Sequence, residues 1–297
     1  MHISVLLQEA IDGLEIKKGD IFVDGTLGGG GHSEEICKRF GDAVVMIGID
    51  LDPEAILGAT ARLAPHLCDF QTVAGSFRNI DAILDSLGVP QADKILLDLG
   101  LSSNQFEDSG RGFSFQKNEP LIMSFKKDLK ETDLTAREIV NEWDLENIST
   151  VIRCYGEEQF AWKIAKAIVA SREVKPIETT FDLVEIIKNA TPKFYHHRKI
   201  HPATKTFQAL RITVNDEIES LKEGLARGFE RLKPMGRIAV ISFHSLEDRV
   251  VKQFFKNLSI RGEAMILTKK PIVPKDEEIK ANPRSRSAKL RIIEKVE

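Results

Sequence analysis

Three carboxylates in this sequence stand where a ligand would need them. Asp24, Asp50 and Asp98 each close a short apolar run: Ile21-Phe-Val-Asp24, Val44-Val-Met-Ile-Gly-Ile-Asp50 and Lys94-Ile-Leu-Leu-Asp98. Asp24 is followed at once by Gly25-Thr-Leu-Gly28-Gly-Gly-Gly31-His32-Ser33. Consecutive glycines let a backbone approach a ligand closely, because no Cβ stands in the way. Asp50 lies 19 residues beyond Gly31, the spacing at which a carboxylate meets ribose hydroxyls in nucleotide-binding units. The acid before the turn separates two ligand classes. A dinucleotide sets its pyrophosphate on the N-terminus of the following helix, and Asp24 would repel it. S-adenosylmethionine carries a positive ammonium and a positive sulfonium, which Asp24 suits. Asp98 likewise suits a cation or an amino group.

The elements that must position these acids alternate. Apolar strands ending at Asp24, Asp50, Ala74 and Asp98 are separated by helical stretches at 32–40, Pro53 to Leu63 and Ile80 to Leu87. Continuous apolar strands between helices imply a parallel sheet covered on both faces. Ligands of such sheets bind outside the carboxyl ends of the strands, which is where the three acids fall. The next strand is Arg237 to His244. The spacing before it predicts one long helix, Ala203 to Leu232, and a helix over Glu157 to Arg172. A Ser-capped helix from Ser245, strands Met265 to Thr268 and Lys289 to Glu294, and a charged connection from Pro271 to Pro283 complete the chain. The expected fold is α/β: a doubly wound, mostly parallel Rossmann-like sheet over 1–104 and 201–297, interrupted by a mainly helical, substrate-recognising insert at 105–200.

At 297 residues, 42% hydrophobic and 29% charged, the chain reads as a soluble globular protein without a staple or a membrane span. Cys37, Cys68 and Cys154 are far apart and show neither metal nor disulfide spacing, which fits a reducing cytoplasm. The net charge of −3 argues against a globally basic nucleic-acid binder. One window departs from this. Between Glu185 and Asp216 no acid occurs, while Lys188, Lys193, Arg198, Lys199, Lys205 and Arg211 stand with His196, His197 and His201. That local field could hold phosphates or could be a solvated face. The same two readings apply to Arg284, Arg286, Lys289 and Arg291 in the tail, which also fit a closing edge strand.

Several segments together resemble one family. They are Asp24 to Ser33, Asp98-Leu-Gly-Leu-Ser-Ser-Asn-Gln105, Arg111 to Phe115, Tyr155-Gly-Glu-Glu158, His201-Pro-Ala-Thr-Lys-Thr-Phe-Gln-Ala-Leu-Arg211, Ile241 to Arg249 and Asn282 to Arg291. In order, and over nearly the whole chain, they are similar to the bacterial 16S ribosomal RNA cytosine-N4 methyltransferase family (RsmH, also called MraW). The resemblance implies transfer of a methyl group from S-adenosylmethionine to a cytidine N4 in the decoding region of 16S rRNA of the small ribosomal subunit. It implies cofactor contacts at Gly30, Gly31, His32, Asp50, Phe77, Asp98 and Gln105. Without it, His32 reads as a helix cap, Phe77 as core and Gln105 as a loop polar. The Asn/Asp-Pro-Pro-Tyr tetrad of many amino-methyltransferases is absent, and Asp98-Leu-Gly-Leu-Ser-Ser103 takes its place. Asp98 or Ser102 is the candidate acceptor for the amine; the alternative is that Asp98 serves only the cofactor. Lys199, His201 and Lys205 are the candidate RNA contacts.

The family pattern is not kept everywhere. After Pro120 relatives usually read Leu-Asp-Met-Arg-Met, and this chain reads Leu121-Ile-Met-Ser-Phe125. An acid and a base are missing together. If they pair in relatives, an apolar pair can replace them. If either touches RNA, activity or target choice changes. Lys205 replaces the usual Arg and gives up bidentate geometry. The competing functions are a nicotinamide oxidoreductase, opposed by Asp24, and an assembly factor without activity. The expected partners are 16S rRNA and the small subunit, with a homodimer allowed for and neither membrane nor metal.

Overall fold

A computed structural model describes residues 4–100, 109–198 and 200–296. Its strands are β1 Ile21–Asp24, β2 Val45–Asp50, β3 Asp69–Ala74, β4 Ala92–Asp98, β5 Leu232–Ser242, β6 Ala264–Ile266 and β7 Lys289–Lys295. Helices α1 Leu7–Leu14, α2 Gly31–Phe40, α3 Pro53–Leu63 and α4 Ile80–Ser86 alternate with the first four strands. Then come α5 Ala136–Glu142, α6 Leu145–Gly156, α7 Ala161–Arg172, α8 Thr180–Ala190, α9 Lys193–His196, α10 Thr204–Asn215 and α11 Glu217–Glu230. Helices α12 Ser245–Ile260 and α13 Asp276–Ala281 lie among the last strands. The chain separates into two compact units, Met1–Gly100 with Ile218–Glu297, and Leu101–Glu217.

The first unit holds one sheet in the order β3-β2-β1-β4-β5-β7-β6. Strands β1 to β5 pair in parallel, and β7 pairs antiparallel with both β5 and β6. Successive strand residues point to opposite faces. Phe22, Met46, Leu96 and Ile241 enter one apolar cluster, and Val23, Ile47, Ile95 and Val240 the other. Both faces are covered, which is why these strands read as unbroken apolar runs. This is the doubly wound, mostly parallel Rossmann-like sheet. Strand order reverses between β1 and β4, so Asp24 and Asp98 end neighbouring strands at the switch point.

The Leu101–Glu217 unit has its own core, built from Ile139, Ile152, Ile164, Leu183 and Phe207 among others. The departure after Pro120 is absorbed there. Ser124 is buried, and Phe125 stacks on Phe113 at 5.8 Å between ring centroids. Arg111 Nη1 donates to the carbonyls of Ser124 and Phe125 at 3.0 and 2.9 Å.

Several expectations are corrected. The long helix is two: Asp216 turns left-handed at φ 48° after α10, and Leu232 already belongs to β5, so Pro234 lies in a strand. A single left-handed residue leaves the apolar spacing of the flanking turns intact, so the sequence does not reveal it. Glu157 is not helical; it is the left-handed C-cap of α6, and α7 starts at Ala161. His244, not Ser245, caps α12: its Nδ1 accepts from Glu247 N, and Glu247 Oε2 accepts from His244 N. β7 lies between β5 and β6 and is no edge. The connection from Pro271 to Pro283 contains α13.

The cysteine reading is also corrected. Cys37 and Cys68 form a disulfide with their Cα atoms 5.5 Å apart, because folding brings α2 to the loop before β3. The inference of a reducing compartment loses that support. Among the described residues no helix is long and apolar enough to cross a membrane.

Candidate active site

The glycine turn is fixed in place by its neighbours. Gly28 and Gly30 have φ of 50° and 71°, a region in which side chains are strained. Gly30 is the N-cap residue of α2. A Cβ on Gly31 would stand 2.0 Å from Ser4 Oγ, so no larger residue fits there unless Ser4 moves. Asp50 holds the turn from β2. Its two oxygens accept from Gly28 N and Asp52 N, each at 2.8 Å. Burial raises the Asp50 carboxyl above its ordinary range.

Asp24 is 2% exposed. Ser33 Oγ donates to one of its oxygens at 2.8 Å, and Thr26 N to the other at 3.3 Å. Burial outweighs these bonds and pushes the carboxyl up to about 6. Asp98 N donates to Thr26 Oγ1 at 2.6 Å. One threonine therefore steadies both acids, through its amide and its hydroxyl. Burial first, then Asp24 and Glu247, push the Asp98 carboxyl well above the carboxylate range. Asp98 Oδ1 is buried and has no hydrogen-bond partner among the described residues.

His32 occupies the first turn of α2 and is buried. Its Nε2 lies 3.2 Å from Val5 O. A carbonyl only accepts, so Nε2 carries the proton and Nδ1 faces Asp98 Oδ2 at 3.7 Å. It is not the helix cap. Phe77 follows β3 and is partly buried: a Cβ on Gly224 of α11 would meet its ring at 2.4 Å, and one on Gly25 would lie 3.2 Å from its Cβ. It packs as core and also lies beside the glycine turn.

These residues can hold a particular class of ligand. One buried and two half-buried acids, with an orphaned buried acceptor on Asp98, call for positive charge and N–H donors. S-adenosylmethionine brings both, and a pyrophosphate brings neither. Among the expected site residues, Gly30, Gly31, His32, Asp50, Phe77 and Asp98 all lie in the Met1–Gly100 segment. Ser102, Gln105 and Lys199 lie outside the described residues. Thr26 and Ser33 were not singled out from the sequence. The only signal for them was two hydroxyls flanking the same turn.

On the Leu101–Glu217 unit, His201 stacks on Phe115 at 4.6 Å between centroids, and its Nδ1 accepts from Ala203 N at 3.3 Å. Burial, then Lys188 and His196, lower its pKa. Lys205 Nζ donates to Glu157 O at 2.6 Å, capping the end of α6. Arg211 forms two 2.8 Å bonds to Glu217. Of the basic window, Lys188, Lys193 and Arg198 remain exposed. In the tail, Lys289 and Arg291 both pair with Asp248, at 3.1 and 2.7 Å. The two cations share one acid distant in sequence, which offsets one of their two charges.

The chain matches the MraW methylase family over residues 1–296. A ribosomal RNA small subunit methyltransferase H from Brevibacillus brevis is 42% identical over 310 residues, covering 99% of this chain and 98% of its own. The protein of the same name from Clostridium botulinum is 45% identical over 313 residues, covering 99% of each. A solved rRNA methylase from Streptococcus thermophilus is similar at 11% identity and a TM-score of 0.46, over 100% of both chains.

Proposed function

This chain belongs to the MraW methylase family, and from that premise we propose that it methylates the exocyclic N4 of a cytidine in the decoding region of 16S ribosomal RNA. The relatives named ribosomal RNA small subunit methyltransferase H, aligned end to end with it, support the class of substrate. The structural observation that carries the reading is Asp98 Oδ1, a buried acceptor without a partner among the described residues, at the switch point of the sheet.

S-adenosylmethionine, bound at these acids, supplies a methyl group activated by a sulfonium. Gly30, Gly31 and His32 would hold it through the turn, and Asp50 would take ribose hydroxyls. Phe77 would offer an apolar side to adenine, and Asp24 and Asp98 would meet positive charge. The family resemblance adds Gln105.

The cytosine amine is a weak nucleophile, because its lone pair is delocalised into the ring. Asp98, or the hydroxyl of Ser102, accepts an N–H of that amine. This leaves the lone pair free and fixes the line of attack. With the cofactor bound, the amine would take its methyl group as the carbon–sulfur bond breaks, the electron pair staying on sulfur. The surplus proton on nitrogen is acidic enough to leave to water, so no strong base is required. A paired cytidine is out of reach, so the base must be unpaired or flipped. The Leu101–Glu217 unit recognises the RNA, with Lys199, His201 and Lys205 among its contacts and the small ribosomal subunit as partner.

The test is methyl transfer to purified small subunits with labelled cofactor, followed by mapping of the modified nucleotide. Label on the N4 of one decoding-region cytidine is the expected result. Label elsewhere, or none, overturns the reading.

A further inference from the structure

We propose that the Leu101–Glu217 unit carries a stacking site for an unpaired RNA nucleotide other than the reacting one, formed by Trp162 and Arg153. The inference rests on the RNA methyltransferase reading above.

Helix α7 buries Ala161, Ile164, Ala165 and Ile168. Trp162 sits among them yet is 52% exposed, so a large flat apolar surface faces solvent. Arg153, in the last turn of α6, is exposed. It has no hydrogen-bond or ion-pair partner among the described residues, so its guanidinium is available to an anion. The two side chains line one recess of about 520 Å³, together with Ser149, Gln159 and Ala161 and the acids Glu157 and Glu158.

The acids do not make this a cation site. Glu158 is buried and committed: it accepts from Tyr195 Oη–H and from Phe160 N at 2.9 Å. Glu157 is at the exposed rim, where a carboxylate suits a base amino group.

The chain continues the same pattern beside the recess. The Phe160 ring has Lys163 Nζ over it at 5.8 Å and the Phe194 ring 6.4 Å away. Phe194 is 60% exposed. Arg198 lies over the Tyr195 ring at 4.9 Å. Two exposed rings, Trp162 and Phe194, therefore stand on this surface among three exposed cations, Arg153, Lys163 and Arg198, while Tyr195 is buried beneath Arg198. Single-stranded RNA matches it, because each base offers a π-face to a ring and each phosphate a charge to a cation. A protein partner would call for a continuous apolar patch, which these cations interrupt.

The test compares wild type, Trp162→Ala, Trp162→Phe and Arg153→Glu in binding a labelled single-stranded fragment of the 16S decoding region over a range of salt. Cofactor affinity is measured by calorimetry alongside. Base stacking on an aromatic side chain is worth ~1–3 kcal/mol, so W162A should weaken RNA binding by a factor of about 5 to 150. W162F should retain most of the affinity. R153E should weaken binding and flatten the salt dependence by about one unit of slope. Cofactor affinity should stay unchanged in all three, since these side chains touch no cofactor residue. W162A binding RNA as wild type does would overturn the site while leaving the enzyme reading intact. Failure of the wild-type protein to methylate small subunits overturns that reading, and the stacking site with it.

Discussion

Asp98 Oδ2 stands 3.7 Å from His32 Nδ1, while its other oxygen is buried without a partner among the described residues. The first turn of α2 and the end of β4 thus converge on one carboxylate. That carboxylate is costly to ionise in the free protein, since Asp24 and Glu247 add to its burial. A cofactor or substrate that donates N–H bonds relieves the cost.

Asp98→Asn keeps the shape and removes the charge. The cofactor-free variant should melt at the same temperature or higher, because a desolvated charge is gone. Methyl transfer to small subunits should fall about a hundredfold or more, the scale of losing one oriented polar group at a reacting centre. Equal loss of stability and activity would reduce Asp98 to a structural residue.

Asp24 sets a pH dependence. Its folded pKa of about 6 is above the ordinary 3.8, so folding favours its protonated form. That contribution is present in full below pH ~4 and is lost as pH rises through about 6; two pH units correspond to ~3 kcal/mol. A bound cation favours the ionised form instead. Thermal melts of wild type and Asp24→Asn should therefore diverge as pH rises from 4 to 7, with the variant gaining. Stabilisation of wild type by S-adenosylmethionine should grow over the same interval. A pH-independent difference between the two proteins contradicts this.

Thr26 links the two acids, so Thr26→Val strands the Asp98 amide without its 2.6 Å acceptor. Stability should drop by about 1–3 kcal/mol, and cofactor affinity should fall with it. Thr26→Ser restores the hydroxyl and should recover both. Recovery of stability without cofactor affinity would leave the threonine with no positioning role.

The Cys37–Cys68 bond closes a loop of 31 residues. Chain-entropy reasoning gives such a cross-link about 3–4 kcal/mol. Reductant should lower the melting temperature of wild type and leave that of Cys37→Ser unaffected. Equal responses of the two proteins would show that the bond does not form in solution.

Much of this protein was legible in the chain itself. Each of Asp24, Asp50 and Asp98 ends its own apolar run, and the Gly28–Gly31 turn follows its strand directly. Strand, turn and acid are local features, so periodicity and residue type were enough to place them. The seven motif segments identified the family for the same reason. The relations between segments were decided only by the fold. Whether His32 caps a helix or turns to Asp98 depends on how β4 lies beside β1. Whether Cys37 and Cys68 stay apart depends on a loop packing on α2. Arg211, Lys289 and Arg291 look like free cations in the sequence, yet Glu217 pairs with the first and Asp248 with the other two. A charge along a chain is only a count, and its effect depends on which opposite charge or low-dielectric surface tertiary packing sets beside it.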